Sequence, residues 1–148
     1  MDIERLLGKC FLFRDLTSAQ LKTLASIAVD EHFHKGEQVF SDGGDGTAMF
    51  LIDMGSVAVE KNGKELARLG SGSHFGELAL LDNNKRSATV HSLERTHVLK
   101  LPREKFQALL EADPVLAVPL YRAFCRYLAA RLRATNEQTA FLSERLER

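Results

Sequence analysis

The stretch Phe75–Val90 reads FGELALLDNNKRSATV, and the rest of the chain arranges itself around it. Its first half joins a glycine and an acid to a short apolar run of helix formers. Its second half is a polar loop, Asp82-Asn83-Asn84-Lys85, closed by Arg86-Ser87-Ala88. Gly76 permits backbone geometry that a side chain forbids. The N–H groups of Leu78, Ala79 and Leu80 then stand at the start of a short helix, where free amides and the positive end of the helix dipole suit an anion. Arg86, ten residues after Gly76, is placed to fold back and offer the same anion a forked positive partner. An arginine in a charged loop is most often simply solvated. Here its place after a Gly-Glu helix start and before a small-residue strand start favours a ligand. Glu77 is the odd member, because an ionised carboxylate only accepts hydrogen bonds. Beside an anion it fits a sugar hydroxyl, and a phosphate held with a ribose hydroxyl describes a nucleotide.

Working outward, residues 1–28 predict a helical segment. Ile3, Leu6 and Leu7 have helical spacing stopped by Gly8, and Thr17 is an N-cap for a helix carrying Leu21, Leu24, Ile27 and Ala28. From Val29 to residue 102 the texture changes to short β-prone runs punctuated by glycine. Among them Asn62-Gly63 marks a hairpin. Short strands at regular spacing with turn residues between them predict a β-sandwich or jelly roll. Residues 103–148 predict C-terminal helices. The first carries Phe106, Leu109 and Leu110, Asp113-Pro114 starts the next, and Pro119 should kink or restart it. A helix from there to about Leu146 is roughly 40 Å long at 1.5 Å per residue. Leu128, Leu132, Thr135, Thr139, Leu142 and Leu146 alternate steps of four and three, a heptad seam suited to a homodimer. Phe124 and Leu128 are expected to pack on the β-roll instead.

FGELALL followed by RSATV resembles the phosphate-binding cassette of cyclic nucleotide-binding domains, a family that includes cyclic-AMP-dependent kinase regulatory subunits, cyclic-nucleotide-gated channels and the bacterial catabolite activator. The runs GE-x-x-F, GDG-x-x-MF and G-x-V-x-V also resemble its β-roll, departing at Gly44 and Thr47, where acids are common. The resemblance implies a mainly β fold, an eight-stranded jelly roll with N-terminal helices and a long C-terminal helix. It implies that Arg86 pairs with the cyclic phosphate and that backbone N–H groups near Leu78, Ala79 and Ser87 complete the cradle. The ribose falls to Gly76 and Glu77, with Glu77 accepting the 2′-hydroxyl. Ser87 is either a small residue chosen for fit or a ligand contact, and serine in bacterial regulators of this kind accompanies cyclic AMP. LAARLRATNEQ resembles the catabolite activator's long helix, where hydroxyl residues at the positions of Thr135 and Asn136 contact adenine. Either these two face solvent, or they contact the base. The asparagine amide accepts and donates, so it suits either purine.

Composition limits the alternatives. Twenty basic and twenty acidic residues leave no net charge to draw the chain onto nucleic acid or a membrane. In the catabolite-activator type, a helix-turn-helix would follow Leu146, so no direct DNA contact is expected from these residues. Cys10 and Cys125 match no metal or redox spacing and suit reduced thiols in the cytoplasm. The first ten residues are not a secretory signal, and no run is long enough to span a bilayer. His32-Phe33-His34 with Glu37 gives a weaker, cupin-like metal reading, but no second histidine half follows it. His74 suits a strand or loop better than a haem ligand. No paired carboxylates, nucleophile–base arrangement or Walker-type loop supports catalysis, and no cofactor or metal is expected. The function expected is a cyclic nucleotide sensor, with cyclic AMP ahead of cyclic GMP, no turnover and no known effector. A dimerisation module with a vestigial pocket is the alternative.

Overall fold

Two capped helices begin the chain in the computed structural model, which describes residues 2–147. Asp2 accepts the Arg5 amide at the start of α1 (Ile3–Lys9). Thr17 and Gln20 exchange side-chain bonds with each other's amides, closing a capping box on α2 (Ser18–Ala25). Contrary to expectation, α1 runs through Gly8 to Lys9. A Cβ at Gly8 would lie 3.3 Å from Leu21 Cδ1, so this glycine lets α1 and α2 approach rather than ending a helix. Ile27 and Ala28 fall beyond α2 but still pack, partly buried, against the core.

Eight strands follow: β1 (Val29–Phe33), β2 (Gln38–Phe40), β3 (Ala48–Met54), β4 (Ser56–Lys61), β5 (Lys64–Gly70), β6 (His74–Phe75), β7 (Thr89–Ser92) and β8 (Thr96–Pro102). They form two four-stranded antiparallel sheets, ordered β1-β8-β3-β6 and β2-β7-β4-β5, which is the jelly roll. Asn62 and Gly63 turn the β4–β5 hairpin with φ of 54° and 75°, the mirror-image turn that matches strand twist. β3 is buried over five successive residues because both faces of its sheet are covered. Met49 and Leu51 face a core shared with the helices, whereas Ala48, Phe50 and Ile52 face the interior of the roll with Phe75, Val90 and Val98. Strand alternation therefore makes β3 the wall between two cores.

After β8, α3 (Arg103–Ala112) buries Phe106 and Leu110. The Asp113 side chain accepts the Leu116 amide at 3.1 Å, starting α4 (Pro114–Glu147). Pro119 does not restart the helix, which is continuous through it. The carbonyl it leaves unpaired belongs to Val115, on the exposed face, while Leu116, Leu120 and Phe124 hold the opposite face in the core. Phe124 is buried as expected, but Leu128 is 37% exposed, and from Ala130 to Leu146 every residue is exposed. The exposed seam also begins earlier than expected, since Val118, Tyr121 and Cys125 continue its three-and-four spacing upstream of Leu128. Among the described residues no helix is long and apolar enough to cross a membrane.

Phe124 fastens the base of α4, meeting Phe106 edge-on at 6.4 Å between ring centres. Phe124→Ala should lower the unfolding free energy by about 3–5 kcal/mol, measured by urea denaturation.

Candidate functional site

Gly76 follows β6 in the left-handed conformation, φ 72° and ψ 17°. A Cβ there would lie 2.7 Å from Arg86 Nη1 and 3.2 Å from the Ala48 carbonyl oxygen, so the position demands glycine both for its backbone and for its neighbours. The expected short helix is a single 3₁₀ turn, Glu77–Leu80. The Ala79 amide, expected to face an anion, donates within this turn to the Gly76 carbonyl at 3.2 Å. The Leu78 amide has no backbone acceptor among the described residues, and the Leu78 side chain is exposed at the rim.

Arg86 returns from the loop to lie beneath Gly76, only 9% exposed. Nη2 donates to the Ala48 carbonyl at 2.6 Å, and Nη1 to the Gly76 carbonyl at 3.3 Å. The guanidinium carbon stands 3.9 Å from the centre of the Phe40 ring, within cation–π range. Its backbone is pinned to the β2–β3 loop by the Gly43 amide and the Gly44 carbonyl at 2.8 and 2.7 Å. Nε alone is buried with no partner among the described residues. Burial lowers the guanidinium pKa, the charge of Arg103 lowers it further, and Glu77 opposes both. A buried cation with a spare N–H and only neutral partners is arranged for an anion.

Glu77, 6% exposed, sits on the other side of the turn. Its Oε1 accepts from the Tyr127 hydroxyl and, at 3.2 Å, from Arg131 Nη1, both on α4. His74 Nδ1 lies 3.5 Å from Oε2. Burial pushes the Glu77 carboxyl up, but His74, the Tyr127 bond and its own amide outweigh this and hold it below the usual carboxylate range. Burial and the Glu77 carboxylate together push the Tyr127 phenol well above its ordinary value, so the tyrosine keeps its proton and donates. Neither α4 residue was singled out in the sequence. The available sign was the buried stripe Leu116, Leu120, Phe124, Tyr127, whose next step of four reaches Arg131.

Between Arg86 and Glu77 opens a cavity of about 450 Å³, lined by Phe40, Val59, Leu69, Ser87, Tyr127 and Arg131 besides the turn itself. This size suits a small-molecule ligand. It is polar toward the turn and apolar toward Val59, Leu69 and Val90. The Ser87 hydroxyl has no protein partner among the described residues, while its carbonyl accepts Lys61 Nζ at 2.7 Å. Thr135 and Asn136 do not line the cavity of this chain. They lie on the exposed part of α4, with the Thr135 hydroxyl bonded to the Arg131 carbonyl at 3.0 Å. The Glu37 carboxylate accepts the His34 amide at 3.2 Å, and no group of three or more His, Cys, Asp or Glu that could hold a metal occurs among the described residues.

A jelly roll that presents a buried arginine and a buried carboxylate across one glycine-led turn, beside a cavity of this size, has the form of a small-molecule-binding domain. The family description "Cyclic nucleotide-binding domain" matches residues 30–113, and the chain belongs to that family. It is 34% identical over 137 residues to the cyclic AMP receptor protein of Thermus thermophilus, covering 89% of this chain and 62% of that one. It is 33% identical over 112 residues to the cAMP-dependent protein kinase regulatory subunit of Debaryomyces hansenii, covering 74% and 25%. The N-terminal domain of a transcriptional regulator from Streptomyces coelicolor has the same fold, with a TM-score of 0.77, 29% identity and coverage of 90% and 94%. The chain thus spans less than two thirds of the length of either curated relative.

The depressed pKa of Glu77 makes a signed prediction. Its contribution to stability is present above the usual carboxylate range and is lost as pH falls through its lowered folded value. The stability difference between wild type and Glu77→Gln should be largest near neutral pH and shrink below about pH 4, measured by urea denaturation across that range.

Proposed function

We propose that the chain is a cyclic nucleotide sensor that binds cyclic AMP, with cyclic GMP second, and does not turn it over. The unpartnered Nε of buried Arg86, a residue that lines the cavity, carries this reading. The cyclic phosphate pairs with Arg86, assisted by the Leu78 amide and the Ser87 hydroxyl, with the Ala79 amide free to join if the turn loosens. The ribose lies against Gly76, and its 2′-hydroxyl donates to Glu77. The base rests on the apolar wall of Val59 and Leu69. Relatives whose names carry cyclic AMP support that nucleotide, and the Asn136 amide leaves cyclic GMP as the second choice.

Occupancy is transmitted through α4 by a population shift. Leu80 and Leu81 of the cassette share one core with Leu116 and Leu120 of α4, and Gln107 of α3 donates to the Leu80 carbonyl at 3.1 Å. Drawing the turn toward the phosphate therefore repacks the segment around Pro119. The exposed seam of α4 pairs with a second copy in parallel, which brings Thr135 and Asn136 to the base. The free cysteines and the balanced charge suit a reduced cytoplasmic setting. The effector is a separate protein or a further segment, and direct contact with nucleic acid is not assigned to these residues.

Titration calorimetry with both nucleotides tests the ligand. Cyclic AMP should bind, and Arg86→Ala should weaken it by more than about a hundredfold, as for removal of one partner of a buried charge pair. No heat from either nucleotide at high micromolar concentration, or an unchanged affinity in Arg86→Ala, contradicts the reading. The parallel dimer sets the two Cys125 thiols opposite each other across the seam. Diamide should therefore yield a covalent dimer on a non-reducing gel, absent in Cys125→Ser. A monomer under these conditions contradicts the pairing.

A further inference from the structure

Glu77 is engaged from α4 by two side chains. Its Oε1 accepts two bonds, from the Tyr127 hydroxyl and from Arg131 Nη1 at 3.2 Å. A carboxylate has about four acceptor positions over its two oxygens, so Oε1 is filled and the spare capacity lies on Oε2. His74 Nδ1, 3.5 Å from Oε2, makes no hydrogen bond to it. Packing aims the tyrosine: its ring centre lies 6.2 Å from that of Phe11, 5.6 Å from that of His74 and 5.6 Å from the Arg131 guanidinium carbon. The cavity of about 450 Å³ is open with this contact formed and is lined by both α4 residues. A ligand can therefore enter without displacing the tyrosine.

We propose that Tyr127, with Arg131 beside it, is a positioning residue that fills Oε1 of Glu77 and aims Oε2 at the ribose 2′-hydroxyl. The inference rests on the cyclic nucleotide reading of the cavity. It makes α4 part of ribose recognition through a side chain that need not touch the ligand. Nucleotide affinity and the docking of α4 on the roll then share one bond, so strengthening either strengthens the other.

The test is calorimetry with cyclic AMP and 2′-deoxy cyclic AMP on the full chain as wild type, Tyr127→Phe, Glu77→Gln and the double variant, with thermal melts to show each is folded. Wild type should prefer the ribose form. Tyr127→Phe should weaken cyclic AMP about tenfold, the size of a hydrogen bond to a charged group, and shift 2′-deoxy cyclic AMP by less than about twofold. In the Glu77→Gln background the tyrosine substitution should add little, which is the non-additivity expected of one shared network. Equal weakening of both nucleotides would mean the tyrosine only supports the structure and would overturn the proposal. So would tighter cyclic AMP binding in Tyr127→Phe, which would make the contact a lock that the ligand must break. If wild type binds neither nucleotide, the reading of the cavity falls and this proposal with it. If wild type discriminates by the 2′-hydroxyl and Tyr127→Phe discriminates equally, the positioning role alone falls.

Discussion

Burying a guanidinium inside a β-roll is costly unless its charge and its N–H groups are answered, and in this protein the answer is incomplete. Arg86 spends two nitrogens on the Ala48 and Gly76 carbonyls and lays its flat face against Phe40, but its Nε remains unpartnered. None of these partners carries a negative charge. Much of the local architecture follows from holding this one group. Gly76 must lack a side chain to leave room for it, the Gly43–Gly44 backbone clamps its main chain, and the aromatic pair Phe40 and Phe50 covers it. In the proposed reading, an anionic ligand supplies what the fold withholds.

The same turn that closes over Arg86 presents Glu77 on its other side, and Glu77 is where the roll meets α4. The turn's apolar residues and the buried face of α4 belong to one core, while the roll interior beyond β3 forms a separate one. The turn is therefore packed directly on α3 and α4 rather than on the second sheet. Beyond Arg131, α4 is exposed at every residue through Leu146, and the apolar seam runs along this exposed part.

What could be seen in the sequence was mostly local. The Thr17 cap, the Asn62-Gly63 turn and the short β-prone runs announce themselves within a few residues, so the helices and the jelly roll were legible. Gly76, Glu77 and Arg86 were legible because glycine, acid and arginine are chemically conspicuous at that spacing. Tyr127 and Arg131 were not, because their meeting with Glu77 spans about fifty residues and depends on how α4 docks. The heptad spacing drew attention to Thr135 and Asn136 further along, which in one copy face away from the cavity. Gly8 and Pro119 misled for the opposite reason. Each carries a strong local preference for ending a helix, and packing overrode it: Leu21 against Gly8, and Leu116 with Leu120 beside Pro119. Val118, Tyr121 and Cys125 were missed from the seam because their exposure, not their identity, places them there.

A crystal structure of the chain grown with cyclic AMP examines the central claim most directly. The account predicts a phosphate oxygen within hydrogen-bonding distance of Arg86 Nε, the ribose 2′-hydroxyl on Glu77 Oε2, and Tyr127 still on Oε1. A nucleotide bound elsewhere, or one seated in the cavity with Arg86 Nε still unpartnered, would contradict it.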